Sequence, residues 1–254
     1  FFNTMKIQYA SDLHLEFEEN RDFLASNPIK VAGDILVLAG DICPLIVQEC
    51  AEAFWDWCEK HYDRILITPG NHEFYGTDVA GLKELEIHIR PNIAYYYNKT
   101  VKIDEIDFFL TPLWTPVPLM AQAVVKTHMV DFRKIIHGEK KISVDDYNAL
   151  HIEALSYLQN AVSNSQAKKK VVVTHHLPSS AVVQPCYRTS LSTYGFAVEL
   201  ADWIAQSDID VWIYGHSHFN LDAQLGHTKL LSNQLGYCIR YDEGKPVSDA
   251  VFEL

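Results

Sequence analysis

Short runs of apolar residues recur along the chain, and each run ends in polar residues. The runs are rich in Val, Ile, Leu and Tyr, which is typical of buried strands. The pattern therefore predicts six strands, at Lys6–Ala10, Ile35–Ala39, Arg64–Thr68, Phe108–Leu110, Val171–Thr174 and Val211–Tyr214.

Helical spacing of apolar residues separates several of these runs. Apolar side chains at three- and four-residue steps predict helices over Gln48–His61 and Val144–Ser163. A third helix is predicted over Thr77–Arg90, because that segment starts with a Thr-Asp cap signal and ends at Pro91. Strands that alternate with helices indicate an α/β layered fold. We expect residues 1–254 to form one domain, because the chain contains no linker or repeat.

The C-terminal part and two long irregular stretches depart from this alternation. Thr228–Leu231, Gly236–Tyr241 and Ala250–Phe252 are typical of short strands with no helix between them, which predicts a partly antiparallel or mixed sheet. Pro112–Lys126 and Pro178–Ser192 show no periodic pattern. Because loops of more than ~12–15 residues are uncommon unless they are functional or mobile, we expect these two to wall a pocket.

Residue types that bind metals follow five of the predicted strands. In an open α/β sheet the carboxyl ends of the strands border one crevice, so these segments can meet there. Asp12 and His14 lie two residues apart, and extended backbone would point both at one cation. The same holds for His216 and His218. The candidate ligands are Asp12, His14, Asp41, Asn71, His175, His216 and His218.

The donor types in this set favour two ions. Imidazole nitrogens, carboxylate oxygens and one amide oxygen, without a thiolate, suit Mn, Fe, Zn or Co. Seven ligands are too many for one catalytic ion but suit two ions that share a carboxylate, which is the usual device for cleaving phosphate esters. Glycine precedes three of the motifs, where it permits a tight turn and leaves room for ion and substrate, at Gly40, Gly70 and Gly215.

The five motifs, read in order, identify a family. Asp-x-His, Gly-Asp, Gly-Asn-His-Glu, His and Gly-His-x-His span positions 12 to 218, and this order resembles the calcineurin-like metallophosphoesterase superfamily. Pro112-Leu-Trp-Thr, Met129-Val-Asp-Phe-Arg133 and Thr174-His-His-Leu-Pro178 resemble a bacterial branch of phosphohydrolases within it. The resemblance implies two mixed β-sheets packed as a sandwich and flanked by helices, a four-layer αββα fold.

The resemblance also implies a role for each ligand. Asp12, His14, Asp41 and His218 would form the first metal site, with Asp41 as the bridge. Asn71, His175 and His216 would complete the second site. His72 would bind no metal and would lie beside the substrate phosphate, so His72 and Asn71 are the predicted catalytic residues.

These roles define a hypothesis for the reaction. A metal-bridging hydroxide would attack phosphorus in line with the leaving group, with His72 stabilising charge or protonating the leaving oxygen. His176, Arg133 and Arg188 are candidate substrate contacts. The sequence leaves open whether the substrate is a phosphomonoester or a phosphodiester.

Two other functions remain possible on these motifs. The superfamily includes a non-catalytic scaffold, which is set apart by its incomplete ligand set. A nucleotide pyrophosphohydrolase would use the same two-ion centre. A protein Ser/Thr phosphatase is disfavoured, because Ile-Cys-Pro-Leu follows Gly40-Asp41 where those enzymes have an Asp-Arg-Gly continuation.

Charge and cysteine content narrow the classes of partner and the cellular compartment. With 33 acidic and 21 basic residues the formal net charge is −12, which argues against a dedicated nucleic-acid surface. No apolar run reaches the ~18 residues of a membrane span. The five cysteines form no CxxC pair, which favours reduced thiols in the cytoplasm. We therefore expect a small phosphorylated substrate, and the oligomeric state stays open.

Overall fold

Fourteen strands alternate with helices in the computed structural model, which describes residues 4–238, 247 and 249–254. The strands are β1 (Lys6–Ala10), β2 (Ile35–Leu38), β3 (Arg64–Ile67), β4 (Leu85–Arg90), β5 (Ile93–Tyr97), β6 (Lys99–Ile103), β7 (Ile106–Leu110), β8 (Ile136–His137), β9 (Lys140–Lys141), β10 (Lys169–Val173), β11 (Val211–Tyr214), β12 (Ala223–Leu225), β13 (Thr228–Ser232) and β14 (Val251–Glu253). The six predicted strands are β1, β2, β3, β7, β10 and β11, each within two residues of its predicted ends.

The strands form two six-stranded mixed sheets and one short hairpin. The first sheet has the order β14-β1-β2-β3-β5-β4, and the second has the order β12-β13-β11-β10-β7-β6. The inner strands of both sheets run parallel, and the strands at both edges pair antiparallel. The predicted mixed character is therefore confirmed. β8 and β9 pair only with each other.

The two sheets pack face to face, and helices cover their outer faces. Buried side chains from the first sheet, such as Val37, form one cluster with side chains from the second sheet, such as Val171. On the outer faces, Trp55 packs beside the first sheet and Leu158 beside the second. The helices are α1 (Glu18–Ser26), α2 (Glu52–His61), α3 (Gln122–His128), α4 (Asp131–Lys134), α5 (Val144–Asn164) and α6 (Ala201–Gln206). The four-layer αββα sandwich is confirmed.

The helix predicted over Thr77–Arg90 is wrong. Its second half is the edge strand β4, in which the more exposed Glu86 and His88 alternate with the less exposed Leu85 and Ile87. This two-residue period, together with pairing to β5, determined the structure. The Thr-Asp signal belongs to a turn, because the carboxylate of Asp78 accepts hydrogen bonds from the backbone N–H groups of Ala80 and Gly138.

Other predicted segments have different boundaries or more local order. The helix predicted from Gln48 begins at Glu52, after a 3-10 segment over Leu45–Ala51. Both long irregular stretches contain short 3-10 turns, and the first runs into α3 at Gln122. Residues 236–238 do not form the predicted strand, and residues 239–241 of that prediction lie outside the described residues.

Candidate metal centre

The carboxyl ends of strands from both sheets meet at one place. The backbone N–H of Asp12, after β1, donates to the carbonyl of Gly40 after β2 over 2.9 Å. In the second sheet, the backbone N–H of Gly215 donates to the carbonyl of His175 over 2.9 Å. The two sheets join here, because the backbone N–H of His216 donates to the Asp12 carboxylate over 3.0 Å. All five motifs therefore border one crevice.

The backbone at five of the seven candidate ligands is left-handed, which corrects the extended geometry expected at Asp12, His14, His216 and His218. Among the described non-glycine residues, nine have positive φ, and five of those are candidate ligands. An L-residue at positive φ is strained and persists only where its surroundings hold it, and such residues cluster at functional sites. The five are Asp12 (φ 55°), His14 (φ 47°), Asp41 (φ 54°), His216 (φ 74°) and His218 (φ 50°).

Glycines at the strand ends leave space for these side chains. Gly40 has a φ of +88°, so it serves the tight turn as expected. Gly70 and Gly215 do not need positive φ and serve a second purpose. A Cβ atom at Gly70 would overlap the Asp41 carboxylate, and one at Gly215 would lie 2.6 Å from Oδ2 of Asp12.

The first group of ligand atoms comprises Asp12, His14, Asp41 and His218. Nε2 of His14 lies 3.0 Å from Nε2 of His218 and 3.8 Å from Oδ2 of Asp41. Nε2 of His218 lies 3.4 Å from Oδ1 of Asp12. Ligand atoms of Asp12, His14 and His218 lie within 4.8 Å of one another, close enough to hold one ion, and His14 and Asp41 form a further such group with His72.

The second group comprises Asn71, His175 and His216, again with Asp41. Nε2 of His175 lies 3.1 Å from Oδ1 of Asn71 and 3.1 Å from Nδ1 of His216. It also lies 3.4 Å from Oδ2 of Asp41. The same Asp41 oxygen thus faces both groups, while its other oxygen accepts the backbone N–H of His72 over 2.9 Å.

The donor atoms suit divalent cations. Nδ1 of His14 donates to Glu16, and Nδ1 of His175 donates to the carbonyl of Ala39, so in each ring Nε2 is the nitrogen that faces the crevice and can bind an ion once it is deprotonated. Burial alone would raise the pKa of Asp41, but His175 and other imidazoles hold it well below its usual range. A buried carboxylate and converging nitrogen lone pairs favour a positive ion between them. The arrangement leaves the choice of metal open.

His72 lies beside these groups with a different environment. Its Nδ1 donates to Oε1 of Glu16 over 2.8 Å, and its Nε2 lies 3.9 Å from Oδ2 of Asp41 and 3.2 Å from the hydroxyl of Tyr237. Burial lowers the pKa of His72, but the charges of Asp41 and Glu16 outweigh it and raise the pKa overall. The imidazole is therefore held by a carboxylate on one side and faces the crevice on the other.

Two buried carboxylates, which the sequence analysis did not assign, support the ligands. Oδ1 of Asp131 accepts the side-chain N–H of Asn71 over 2.8 Å, which turns Oδ1 of Asn71 toward His175. Glu73 accepts four backbone N–H groups, two of them from Asp41 and Gly70 over 2.9 and 2.6 Å. Glu73 therefore joins the second and third strand ends.

The three candidate substrate contacts are bonded to protein groups. Both ring nitrogens of His176 are taken, one by the carbonyl of Pro112 at 2.9 Å and one by the hydroxyl of Tyr147 at 3.1 Å. Arg188 donates to carbonyls within its own loop, and Arg133 lies near the last carbonyls of α3. These contacts give no support to a substrate-binding role for the three residues.

The sequence carries a signal for some of the residues that contact the candidate ligands or His72 and that the motifs did not assign. Glu16 continues the Asp-x-His alternation by one further step, and Glu73 ends the Gly-Asn-His-Glu motif. Asp131 lies inside the Met129-Val-Asp-Phe-Arg133 segment, but nothing local connects it with Asn71, which is 60 residues away. Tyr237 follows no motif.

The fold and the grouped His and Asp side chains define the class of protein, a metallophosphoesterase. A family model described as calcineurin-like phosphoesterase matches residues 5–220, and the chain belongs to that family. "Uncharacterized protein L509" of Acanthamoeba polyphaga mimivirus is 29% identical over 257 residues and covers 91% of each chain.

Solved structures share the fold. Phosphopantetheinyl hydrolase (PptH) from Mycobacterium tuberculosis superposes with a TM-score of 0.68 at 16% identity, covering 98% of this chain and 95% of that one. Within the described residues, no helix has both the length and the apolar character to cross a membrane.

Proposed function

We propose that the chain is a dimetal-dependent phosphoesterase that hydrolyses a phosphate ester of a small molecule. One observation carries the proposal: Oδ2 of Asp41 faces both groups of ligand atoms, 3.8 Å from Nε2 of His14 and 3.4 Å from Nε2 of His175. A shared carboxylate between two compact N and O donor sets is the arrangement that holds two ions ~3.5–4 Å apart. Asp12, His14 and His218 would hold the first ion, and Asn71, His175 and His216 the second.

Two divalent ions bound here would supply positive charge for the phosphoryl oxygens and a water nucleophile at neutral pH. The protein's own contribution is to hold the donors rigidly. Strained backbone at Asp12 and Asp41 is over-determined by hydrogen bonds to neighbouring strand ends. The amide of Asn71 is oriented by Asp131.

His72 provides a proton at the open side of the crevice. Glu16 accepts from Nδ1 and so directs Nε2 toward the position of the leaving oxygen. The charges of Asp41 and Glu16 raise the pKa of His72, which favours the protonated imidazole that a general acid requires. Such assistance typically contributes ~10²–10⁴-fold, so His72→Ala should lower turnover by that amount and retain metal.

The site distinguishes the proposal from one of its two alternatives. A non-catalytic scaffold would not need seven metal-binding side chains at one crevice, so their proximity supports a catalytic role. A nucleotide pyrophosphohydrolase would share the two-ion centre, and only the walls of the pocket would select a pyrophosphate over a simple ester. We propose the simple phosphoester and keep the pyrophosphohydrolase as the alternative.

The extent of the domain and the cellular compartment are also part of the proposal. We treat residues 1–254 as one catalytic domain, because strands from both ends of the chain, β1 and β14, pair in one sheet. A reducing compartment such as the cytoplasm is proposed on the sequence, whose five cysteines form no CxxC pair.

Metal analysis combined with turnover tests the proposal. Purified protein supplemented with Mn²⁺ should hold about two ions per chain and hydrolyse p-nitrophenyl phosphate or bis-p-nitrophenyl phosphate. The preferred ester decides between monoesterase and diesterase. His88→Ala, at an exposed histidine on β4, is the matched control for His72→Ala and should keep full activity. Protein that binds no metal and shows no turnover with Mn²⁺ would overturn the proposal.

A further inference from the structure

A groove of about 670 Å³ opens from the far side of His72. His72, Tyr75, Val130 and Tyr237 line both this groove and the cavity that contains the candidate metal ligands. The groove therefore adjoins the cavity of the candidate metal ligands, and His72 lies on the wall that they share. In the proposed reaction, a leaving group that extends past His72 would enter this groove.

The walls of the groove are mostly apolar. Phe17, Pro44, Ile46 and Val47 line it together with Val130. Ile46 is 59% exposed and Val130 is 38% exposed, so apolar surface is open to solvent here. Burying such surface against an apolar ligand is favourable at roughly 25 cal/mol per Å². An apolar body is the complementary occupant.

One permanent positive charge lies among the described lining residues. Lys134, at the end of α4, places Nζ 5.6 Å from the centre of the Tyr75 ring, and no carboxylate of the described residues lies within 4 Å of it. The Tyr75 ring in turn lies 4.3 Å from the ring of His72. The Tyr75 ring therefore contacts both the ammonium group of Lys134 and the imidazole of His72. Glu16, the only carboxylate among the described lining residues, already accepts from His14 and His72.

We infer that this groove is a leaving-group subsite for an apolar alcohol that carries a second anionic group, with Lys134 as its specificity-determining residue. The inference rests on the proposed phosphoesterase function and adds a substrate class to it. The anionic group is a carboxylate or a further phosphate, since both offer oxygens to an ammonium group. The apolar body lies against Ile46 and Val130.

Two matched coumarin phosphates test whether Lys134 recognises a second anionic group on the leaving group. They are 4-methylumbelliferyl phosphate, whose leaving group is neutral beyond the ester, and the phosphate ester of 7-hydroxycoumarin-4-acetic acid, which adds a carboxylate. With Mn²⁺ present, we expect kcat/KM to favour the anionic ester by about twofold to fivefold, the range of an exposed ion pair. Lys134→Met should reduce that ratio to about one, and Lys134→Arg should retain most of it.

Lys141→Met is the control for charge, because Lys141 is an exposed lysine on β9 that does not line the groove. It should leave the ratio unchanged. The apolar wall is tested by Ile46→Ser, which should raise KM for both coumarin esters by about threefold with little change in kcat. Ile152→Ser is the matched control, because Ile152 is 66% exposed on α5 and does not line the groove.

A binding measurement separates this inference from the proposed function. The fluorescent alcohol 7-hydroxycoumarin-4-acetate should bind wild-type protein more tightly than Lys134→Met protein, whether or not an ester is hydrolysed. Absence of turnover with both esters would count against the phosphoesterase proposal, and binding would then still decide the subsite. The inference is overturned if the wild type shows no preference for the anionic probe, or if the preference survives in Lys134→Met.

Discussion

The carboxylate of Glu16 holds the imidazole of His72 through a 2.8 Å hydrogen bond from Nδ1. The same oxygen accepts from Nδ1 of the candidate ligand His14 over 3.2 Å. One carboxylate therefore fixes the tautomer of a metal ligand and of the proposed proton donor. Second partners of this kind orient metal-binding histidines and tune them, and losing one typically costs 10–100-fold in affinity or activity.

We expect Glu16→Gln to slow the hydrolysis of esters with poor leaving groups more than that of esters with good ones. A well-positioned His72 matters most when the departing oxygen needs a proton, as in an alkyl or phenyl phosphate, and least for p-nitrophenyl phosphate. The variant should lose roughly 10–100-fold on phenyl phosphate and clearly less on p-nitrophenyl phosphate. The measurement is kcat/KM across a series of esters ordered by the pKa of the leaving group.

Glu84→Gln is the control for this series, because Glu84 is a glutamate outside the lining residues of both cavities. It should leave the dependence on leaving group unchanged. An equal loss on every ester in Glu16→Gln would show that Glu16 supports the metal centre alone and does not act through His72.

Glu16 should also stabilise the metal-free fold above acidic pH. Burial alone would raise the pKa of Glu16, but hydrogen bonds from His14 and His72 outweigh it and lower the pKa to about 2. A depressed carboxylate pKa gives stability that is present above the unfolded value of ~4.3 and is lost as pH falls toward the folded value.

Chemical unfolding at several pH values checks this expectation. The difference in unfolding free energy between the wild type and Glu16→Gln should be on the order of 1–3 kcal/mol at pH 6 and should shrink as pH falls from about 4.5 to 2. A difference that is constant over this range would mean that the hydrogen bonds do not depend on the charge of Glu16.

The Asp131 carboxylate should control occupancy of the second metal site. It accepts from Nδ2 of Asn71 and from the hydroxyl of Tyr75, which is the second acceptor of that Nδ2, so Asp131→Ala removes one restraint on the amide and loosens the other. We expect the affinity for one of two Mn²⁺ ions to fall by about 10–100-fold in calorimetric titrations. Asp131→Asn retains an accepting oxygen and should lose much less. Two ions bound with unchanged affinity in Asp131→Ala would contradict this role.

Gly70 should not tolerate a methyl group, for a reason unrelated to backbone conformation. A Cβ atom at this position would overlap the Asp41 carboxylate, so Gly70→Ala should displace the proposed bridge and abolish binding of both ions. At Gly81 a Cβ atom meets nothing within 4 Å but φ is +74°, so Gly81→Ala should cost only about 1 kcal/mol of backbone strain. Metal content and thermal unfolding of the two variants provide the comparison, and intact metal binding in Gly70→Ala would count against the bridge.

The sequence predicted the central strands well because their signal is local. A continuous apolar run such as that of β10 or β11 reflects burial on both faces, and burial decides the structure. Edge strand β4 is buried on one face only, and its cap-like Thr-Asp signal was equally compatible with a turn. The same limit applies to Gly236–Tyr241, whose described part is irregular.

The sequence predicts the candidate metal ligands, but it does not predict the residues that hold them in place. Each candidate ligand lies two to four residues beyond the end of a strand, so topology brings them to one crevice. The conformation of Asp12 and His14 was not predictable, because left-handed backbone arises from contacts with neighbouring strand ends. Partners such as Asp131 and Tyr237 come from distant segments and are positioned only by tertiary packing.

Electron paramagnetic resonance of the Mn²⁺-loaded protein tests the central claim most directly, namely that two ions share Asp41. Two ions ~3.5–4 Å apart with a common carboxylate are magnetically coupled, whereas separate ions are not. The wild type should bind two Mn²⁺ per chain and show the coupled spectrum, and Asp41→Asn should lose both the coupling and tight binding. A spectrum of one isolated Mn²⁺ at saturation in the wild type would contradict the account.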